Sequence, residues 1–382
     1  MPQPAGFVGV TANLGLKEGA DDFAVVAAPS GPVTSAAVFT RSRFAGASVL
    51  LSRTSDLAAF RGMVTISKNA NVATGPTGEA NAVEVRRRAA EIVGVRPEEL
   101  LVASTGVIGV QYPMDVLTPA LEKLVGTAGA ADFEAAAAAI MTTDTIAKIE
   151  TRTVGEATIT GIAKGVGMLE PDMATMLTYF FTDAAVPADD LDAAFRRVVD
   201  RTYNAVSIDT DTSTSDTAAI FASGAAGPVD LGEFEAALYD AALALVKKIA
   251  SDGEGASKLI TVVVSGARDD AQAKRVGKAI VNSPLVKTAV HGADPNWGRV
   301  AMAIGKLREE TDISPDHVRI AFGGTETYPA QVSANLLADL STYLSGDEVS
   351  IEVDLGIASG EFTVYGCDLT DGYIRINADY TT

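Results

Sequence analysis

Residues 164–182, Lys164-Gly-Val-Gly-Met-Leu-Glu-Pro-Asp-Met-Ala-Thr-Met-Leu-Thr-Tyr-Phe-Phe-Thr182, constrain this chain more than any other stretch. Gly165 and Gly167 can take backbone angles that a Cβ forbids. Pro171 fixes its own φ and turns Glu170 towards an extended shape. Thr175 to Thr182 are rich in aromatic and β-branched side chains and carry no turn signal, so they read as a buried strand. A bent, glycine-rich segment therefore delivers Ala174-Thr175 to the start of a strand. A threonine so placed is either an ordinary strand residue or a nucleophile. In the second case its own backbone nitrogen, freed by cleavage of Ala174–Thr175, serves as the base.

The chain has 382 residues, enough for two or three domains at roughly 150 residues each. Hydrophobic residues make up 47% and charged residues 21%, a globular rather than a disordered composition. A formal net charge of −19 argues against nucleic-acid or anionic-membrane binding, both of which need basic patches. It also means that a carboxylate substrate must be held by local Lys, Arg or helix N-termini. The single cysteine, Cys367, leaves no intrachain disulfide, which fits a reducing cytoplasm. It reads as a small packed residue rather than a nucleophile. His291 and His317 stand far apart with no paired cysteine, so no zinc centre is expected. The first residues lack the basic and apolar regions of a signal peptide, and no run approaches twenty apolar residues.

Phe23–Ala28, Ser35–Thr40, Ser48–Ser52 and Gly62–Ser67 read as strands, with Pro29-Ser-Gly-Pro32 as a turn. Glu79–Gly94 reads as a helix with Ala82, Val85, Ala89, Ile92 and Val93 as its apolar stripe and Arg86-Arg-Arg88 largely facing out. Leu100–Ser104 is a strand, and Pro113–Val125 and Asp132–Ile140 are helices. Glu156–Ala163 is again a strand, and Pro187–Tyr203 and Leu231–Ala250 are helices. From Leu259–Ser265 onwards a second unit begins. It carries a helix (Ala271–Asn282), a strand (Val286–His291), a helix (Asp294–Leu307) capped by Asp294, a helix near Ala330–Ser345, and a β tail of Glu348–Leu355, Glu361–Gly366 and Tyr373–Asn377. Strands and helices mix without regular βαβ alternation, which excludes a doubly wound parallel sheet.

Several polar segments lie at element ends. Lys68-Asn-Ala-Asn-Val-Ala-Thr-Gly75 follows a strand directly and reads as a binding loop or as a turn that uses the left-handed tolerance of Asn. Thr105-Gly106 closes the strand Leu100–Ser104. On its own pattern this is a turn, yet a hydroxyl beside a glycine N–H can also serve as an oxyanion hole. Met141-Thr-Thr-Asp-Thr145 offers hydroxyls either for helix-end capping or for a substrate carboxylate. Asp209, Asp211 and Asp216 resemble half a calcium loop, but the glycine and the distal Glu of that loop are missing, so a hydrogen-bonded turn is expected. Glu254 stands between two glycines after the helix Leu231–Ala250.

Taken together, Lys164–Leu177, Ser104–Gly109, Met141–Thr145, Asp209–Thr214, Gly253–Lys258, Asp294–Arg299 and Asn377 resemble, in order and spacing, the ornithine acetyltransferase (glutamate N-acetyltransferase) family. The resemblance covers nearly the whole chain. Arginine-pathway members usually read Asn-Ser-Gly-Asn-Ala-Asn where this chain has Ile66-Ser-Lys-Asn-Ala-Asn71, a departure that resembles the variant of clavulanic-acid-type gene clusters. The implied fold is an α/β/β/α sandwich of the ornithine acetyltransferase and aminopeptidase-esterase type, over residues 1–258. A smaller C-terminal α/β domain, residues 259–382, sends its tail back to the active site. The resemblance further implies self-cleavage between Ala174 and Thr175, and Thr175 as nucleophile, with Thr105 and Gly106 stabilising the oxyanion. It implies substrate contacts by Thr142, Lys164, Thr175, Glu254, Asn377 and Thr382. Its substrates are N2-acetyl-L-ornithine and L-glutamate, its kinetics ping-pong, and it needs no metal or other cofactor. The cytoplasmic assembly is an α2β2 or larger complex of residues 1–174 and 175–382. Related N-terminal-nucleophile hydrolases pass the acyl group to water instead. Use of acetyl-CoA as a second donor is the remaining alternative within the family, and the altered loop argues against it.

Overall fold

The computed structural model describes residues 2–170 and 176–379. Ala174, Thr175 and Thr382 lie outside the described residues, and so does the expected cleavage point. In chain order the described elements begin with β1 (Val8–Ala12), β2 (Phe23–Ala27), β3 (Thr34–Phe39), α1 (Ala47–Arg53), β4 (Gly62–Ile66), α2 (Gly75–Val93) and β5 (Leu100–Ser104). There follow α3 (Met114–Leu124), β6 (Gly129–Ala130), α4 (Phe133–Ala139), β7 (Lys148–Val154), β8 (Ala157–Lys164), β9 (Leu177–Ala185), α5 (Ala188–Arg201), β10 (Thr217–Pro228) and α6 (Leu231–Ser251). The chain ends with β11 (Leu259–Ala267), α7 (Asp270–Val281), α8 (Pro284–His291), α9 (Trp297–Gly305), β12 (Arg319–Phe322), β13 (Thr325–Tyr328), α10 (Ala334–Leu344), β14 (Glu348–Asp354), β15 (Gly360–Cys367) and α11 (Asp371–Asp379). The strands form three five-stranded sheets, ordered β5-β4-β2-β1-β6, β3-β10-β9-β8-β7 and β13-β12-β14-β11-β15.

Side-chain alternation along the strands decides how these sheets stack. In β2, Phe23, Val25 and Ala27 point to one apolar cluster, whereas Ala24 and Val26 point to another. The first cluster is closed by Val85, Ala89 and Ile92 of α2 and by Leu117 and Leu121 of α3. The second is closed by Leu177, Tyr179 and Phe181 of β9 with Ala219 and Phe221 of β10. The opposite face of that sheet, through Phe180 and Ile220, packs on Phe195 of α5 and Leu245 of α6. Helices, sheet, sheet and helices thus form the expected α/β/β/α sandwich. Between its sheets Tyr179 and Thr65 share a hydrogen bond of 2.8 Å, so both buried hydroxyls are satisfied.

The third sheet is built from residues after 258. Its β11 and β15, with Val276 and Ile280 of α7, continue the apolar cluster that covers α6. Backbone contacts tie it to the segment before β10, since Ser207 N donates to the Tyr365 carbonyl at 2.9 Å. Lys278 and Lys287 donate to the carbonyls of Val206 (2.7 Å) and Ile208 (2.9 Å).

Five sequence expectations are corrected. Ser48–Ser52 is not a strand but part of α1: Ser48 and Ser52, one helical turn apart, both face β5, meeting Ser104 Oγ at 2.6 Å and the Val102 carbonyl at 2.8 Å. Val286–His291 belongs to α8, opened by Pro284 and capped by Ser283. Tyr373–Asn377 lies in α11 rather than in a β tail. Arg86 does not face out; it is buried, donating to Ser55 Oγ at 2.9 Å and the Glu98 carbonyl at 2.6 Å. Similarly Asn296, not Asp294, caps α9, its side chain accepting from Arg299 N at 3.1 Å. The strands β7 and β10 are additions to the sequence reading. Among the described residues no helix is long and apolar enough to cross a membrane.

Candidate active site

Strand β8 ends on Lys164, which pairs across the antiparallel ladder with Leu177 at the head of β9. The chain leaves β8 through Gly165, at φ +149, whose N–H donates to Asp144 Oδ1 at 2.7 Å. At Gly167 a Cβ would lie 2.6 Å from the carboxyl carbon of Glu254 and would push that carboxylate aside. Met168 and Leu169 then donate their N–H groups to the two oxygens of Asp209, at 2.7 and 2.8 Å. Glu170 N donates to the Asp211 carbonyl at 2.9 Å. The acid-rich run 209–216 is therefore a hydrogen-bonded turn that holds the glycine-rich approach in place.

Beside this approach stands the end of β5. Thr105 N extends the β4–β5 pairing by donating to the Ile66 carbonyl at 3.0 Å. At Gly106, φ is +129 and a Cβ would lie 2.2 Å from the carbonyl carbon of Lys68, so no side chain fits. Lys164 Nζ donates to Thr105 Oγ1 at 3.4 Å. A hydroxyl that accepts from an ammonium keeps its own proton for another acceptor. On the opposite side Glu254 is oriented by two neutral donors, Thr143 Oγ1 at 3.2 Å and Asn377 Nδ2 at 2.9 Å. Thr142 is held through its backbone: its carbonyl accepts from Lys68 Nζ at 2.7 Å and its N–H donates to Asp144 Oδ2 at 3.1 Å.

The model of the ArgJ family matches residues 9–382. The chain belongs to the ArgJ family. As such it is an acyltransferase. It is similar to glutamate N-acetyltransferase Oat2 of Streptomyces clavuligerus, 61% identical over 387 residues that span 99% of this chain and 98% of that protein. It is also similar to the arginine biosynthesis bifunctional protein ArgJ of Rhodococcoides fascians, 57% identical over 383 residues, 99% of this chain and 94% of that one. Among solved structures, a bifunctional ArgJ protein of Bacillus halodurans is 40% identical, covering 52% of this chain and 96% of its own with a TM-score of 0.49.

In this ArgJ-family site the charges are tightly coupled. Lys148 is fully buried between Asp144, at 2.8 Å, and Asp252, at 2.6 Å. Burial pushes the Asp144 carboxyl up, but Lys164, Lys148 and the Gly165 N–H outweigh it and hold it at about 2. Burial pulls the Lys164 ammonium down, against the pull of Asp144, Asp216 and Glu254. Lys68 is lowered as well, by burial and by repulsion from Lys17 and Lys164, with Asp144 opposing. Burial drives the Asp216 carboxyl well up, and its Oδ2 is buried without a hydrogen-bond partner. Cys367, buried at the end of β15, is pushed up to about 11 and stays a protonated, packed thiol. Among the described residues no group of His, Cys, Asp or Glu is arranged to hold a metal ion.

Of the sequence-predicted residues, Thr105, Gly106, Thr142, Lys164, Glu254 and Asn377 come from separate segments of the ArgJ-family chain and meet in this one cluster. Asn377 arrives on α11, which packs so closely that a Cβ on Gly255 would lie 2.4 Å from Tyr373 N. Ala174, Thr175 and Thr382 are outside the described residues. Two members of the cluster were not singled out from sequence. Asp144 carried a faint signal, an acid four residues before a lysine, Lys148. Lys68 carried another, a long side chain where an Asn-rich turn follows a strand. A cavity of about 220 Å³, lined by Asp209, Glu254, Lys287 and Tyr373 among others, adjoins the cluster at Glu254.

Proposed function

We propose that this chain is a glutamate N-acetyltransferase that carries the acetyl group of N2-acetyl-L-ornithine to L-glutamate through an ester on Thr175. Cleavage after Ala174 first frees the Thr175 amine. What supports the reading is the convergence of Thr105, Gly106, Lys164 and Glu254 beside the β8–β9 pair, together with a 61% identical relative that is named for this activity. An α-amino group with a pKa of about 7.7–8.0 accepts the Thr175 hydroxyl proton near neutral pH. The Thr175 oxygen bonds to the acetyl carbon, the C–N bond breaks, and the proton passes to the departing ornithine amine. The glutamate amine then attacks the ester, and Thr175 leaves with its proton restored. Thr105 and Gly106 donate to the oxyanion of both tetrahedral intermediates. Lys164 and Thr142 hold the substrate carboxylate, Glu254 faces its amine, and Asn377 and Thr382 complete the contacts. The two chains, 1–174 and 175–382, assemble as α2β2 or larger.

Intact mass spectrometry tests this directly. The wild type should give two chains and Thr175→Ala one, and N2-acetylornithine without glutamate should add one acetyl mass to the peptide that begins at Thr175. A fully active chain that stays uncut, or an acetyl group elsewhere, overturns the reading. Thr105→Val should lower kcat and kcat/KM together by roughly 10²–10³, as for one lost oxyanion donor. Acetyl-CoA is expected to be a poor donor. The basic runs that its phosphates would need are already engaged: Arg87 and Arg88 pair with Glu84, Glu91 and Glu122, and Lys248 with Glu150. A kcat/KM for acetyl-CoA within about tenfold of that for N2-acetylornithine, some 1.4 kcal/mol in barrier, would count against this.

A further inference from the structure

Lys68 stands where a lysine is costly. Its backbone lies in the left-handed region, φ 77, which favours glycine. The position cannot relax freely, because Val107 N donates to the Lys68 carbonyl at 3.2 Å and Gly106 rests on the Lys68 backbone. The side chain turns inwards and is half-buried, and its ammonium donates to the Thr142 carbonyl at 2.7 Å. A neutral carbonyl is a weak partner for a half-buried ammonium. The charges around it do not balance either. Lys148 already lies between Asp144 and Asp252, so Lys68 and Lys164 are left to share Asp144, with Lys17 adding further positive charge. Asp216 relieves this little, since burial favours its neutral form. One end of the site is therefore short of negative charge, while Glu254 at the other end is oriented only by neutral groups, Thr143 and Asn377.

An amino acid bound between these ends places its amine towards Glu254 and its carboxylate towards Lys164. That leaves Lys68 with no carboxylate in hydrogen-bonding contact, only the field of Asp144, which already serves Lys148 and Lys164. We propose that Lys68 is a specificity-determining residue of the acetyl-transfer site, whose ammonium binds the side-chain carboxylate of the acceptor amino acid. The inference rests on the acetyl-transfer reading above and deepens it. It selects acceptors with an anionic side chain and disfavours those with a cationic one. A chain with a net charge of −19 gains nothing from its overall field in this task, so the selection has to be made by a local cation.

The test compares wild type, Lys68→Met, Lys68→Arg and Lys68→Gly, with N2-acetylornithine as donor and either glutamate or its neutral isostere glutamine as acceptor. Wild type should prefer glutamate. Lys68→Met should raise the glutamate KM by about tenfold or more, the usual scale for losing a hydrogen bond to a charged group, with a smaller change in kcat. The preference over glutamine should collapse in Lys68→Met and persist in Lys68→Arg. Lys68→Gly should melt no lower than wild type while showing the same loss of preference, which separates recognition from folding. Equal losses for glutamate and glutamine in Lys68→Met, or an unmoved glutamate KM, overturn the role of Lys68 while leaving acetyl transfer standing. A wild-type protein that moves no acetyl group from N2-acetylornithine to glutamate overturns both.

Discussion

Asp144 accepts hydrogen bonds from Lys148, Gly165 and Thr142, and its response to pH follows from them. Its folded pKa, about 2, is depressed below that of an ordinary aspartate, 3.8. The carboxylate therefore contributes stability that is present above about pH 4 and lost as pH falls towards 2, on the order of 2 kcal/mol. Urea unfolding should show Asp144→Asn less stable than wild type at pH 7, with the gap narrowing below pH 4 and closing only as pH falls to about 2 and lower. The same change removes the main support for the Lys164 ammonium, which burial, Lys148 and Lys68 disfavour and Asp144, Asp216 and Glu254 favour. In the proposed reaction the glutamate KM rises as Lys164 loses its proton, at a pH below that of an ordinary lysine. Asp144→Asn should move this alkaline limb lower still, and an unmoved limb would detach Lys164 from carboxylate binding. Thr105, Gly106 and Glu254 were singled out through the family resemblance, since the local pattern alone reads as a turn at the end of β5 and as the stop of a helix at Glu254. Lys68 was not, because its partner Thr142 lies far along the chain, and Asp144 was not, because a lone acid four residues before Lys148 does not reveal its contact with Gly165. The strain at Lys68, about 1–2 kcal/mol for a side chain in left-handed backbone, is visible only once φ is known.

At the scale of elements, one lysine serves two helices. Lys258 Nζ donates to the carbonyls of Val290 (2.9 Å) and His291 (3.4 Å) at the end of α8 and of Leu344 (2.5 Å) at the end of α10. Lys258→Met leaves the buried Leu344 carbonyl without its lysine partner, while the Val290 carbonyl keeps the Ala293 N–H at 3.1 Å, so the melting midpoint should fall by the equivalent of about 2 kcal/mol. A loss under about 1 kcal/mol would mean that water replaces the ammonium. The long elements were legible in the sequence because their periodicity spans several turns, as in α2 and α6. Short ones were not. The apolar run Ser48-Val-Leu-Leu-Ser52 fits a strand or a helix equally, and only the spacing of its two serines marks the helical face. In α8 the Ser283-Pro284 pair was the better guide, yet its β-branched residues dominated the reading. The segment 373–377 looks β by composition, but Asp371 and Arg375, one turn apart and paired at 2.8 Å, belong to a helix.

For the molecule as a whole, the second sheet joins distant parts of the chain. Its inner strands β10 and β9 follow residue 174, and their neighbours β3 and β8 precede it. Six residue pairs link β10 to β3 and six link β9 to β8. Chains cut at Ala174–Thr175 should thus elute as one particle and separate only in denaturant. Residues 1–174 and 175–382 made separately should aggregate, because each would display unpaired strand edges. Soluble, monodisperse halves would contradict this account of the sheet. The interleaving also orders events in time. In the proposed maturation the bond can break only after strands from both sides of it have come together. Scission then works as a proofreading step: a misfolded precursor keeps its peptide bond, and with it a blocked amine.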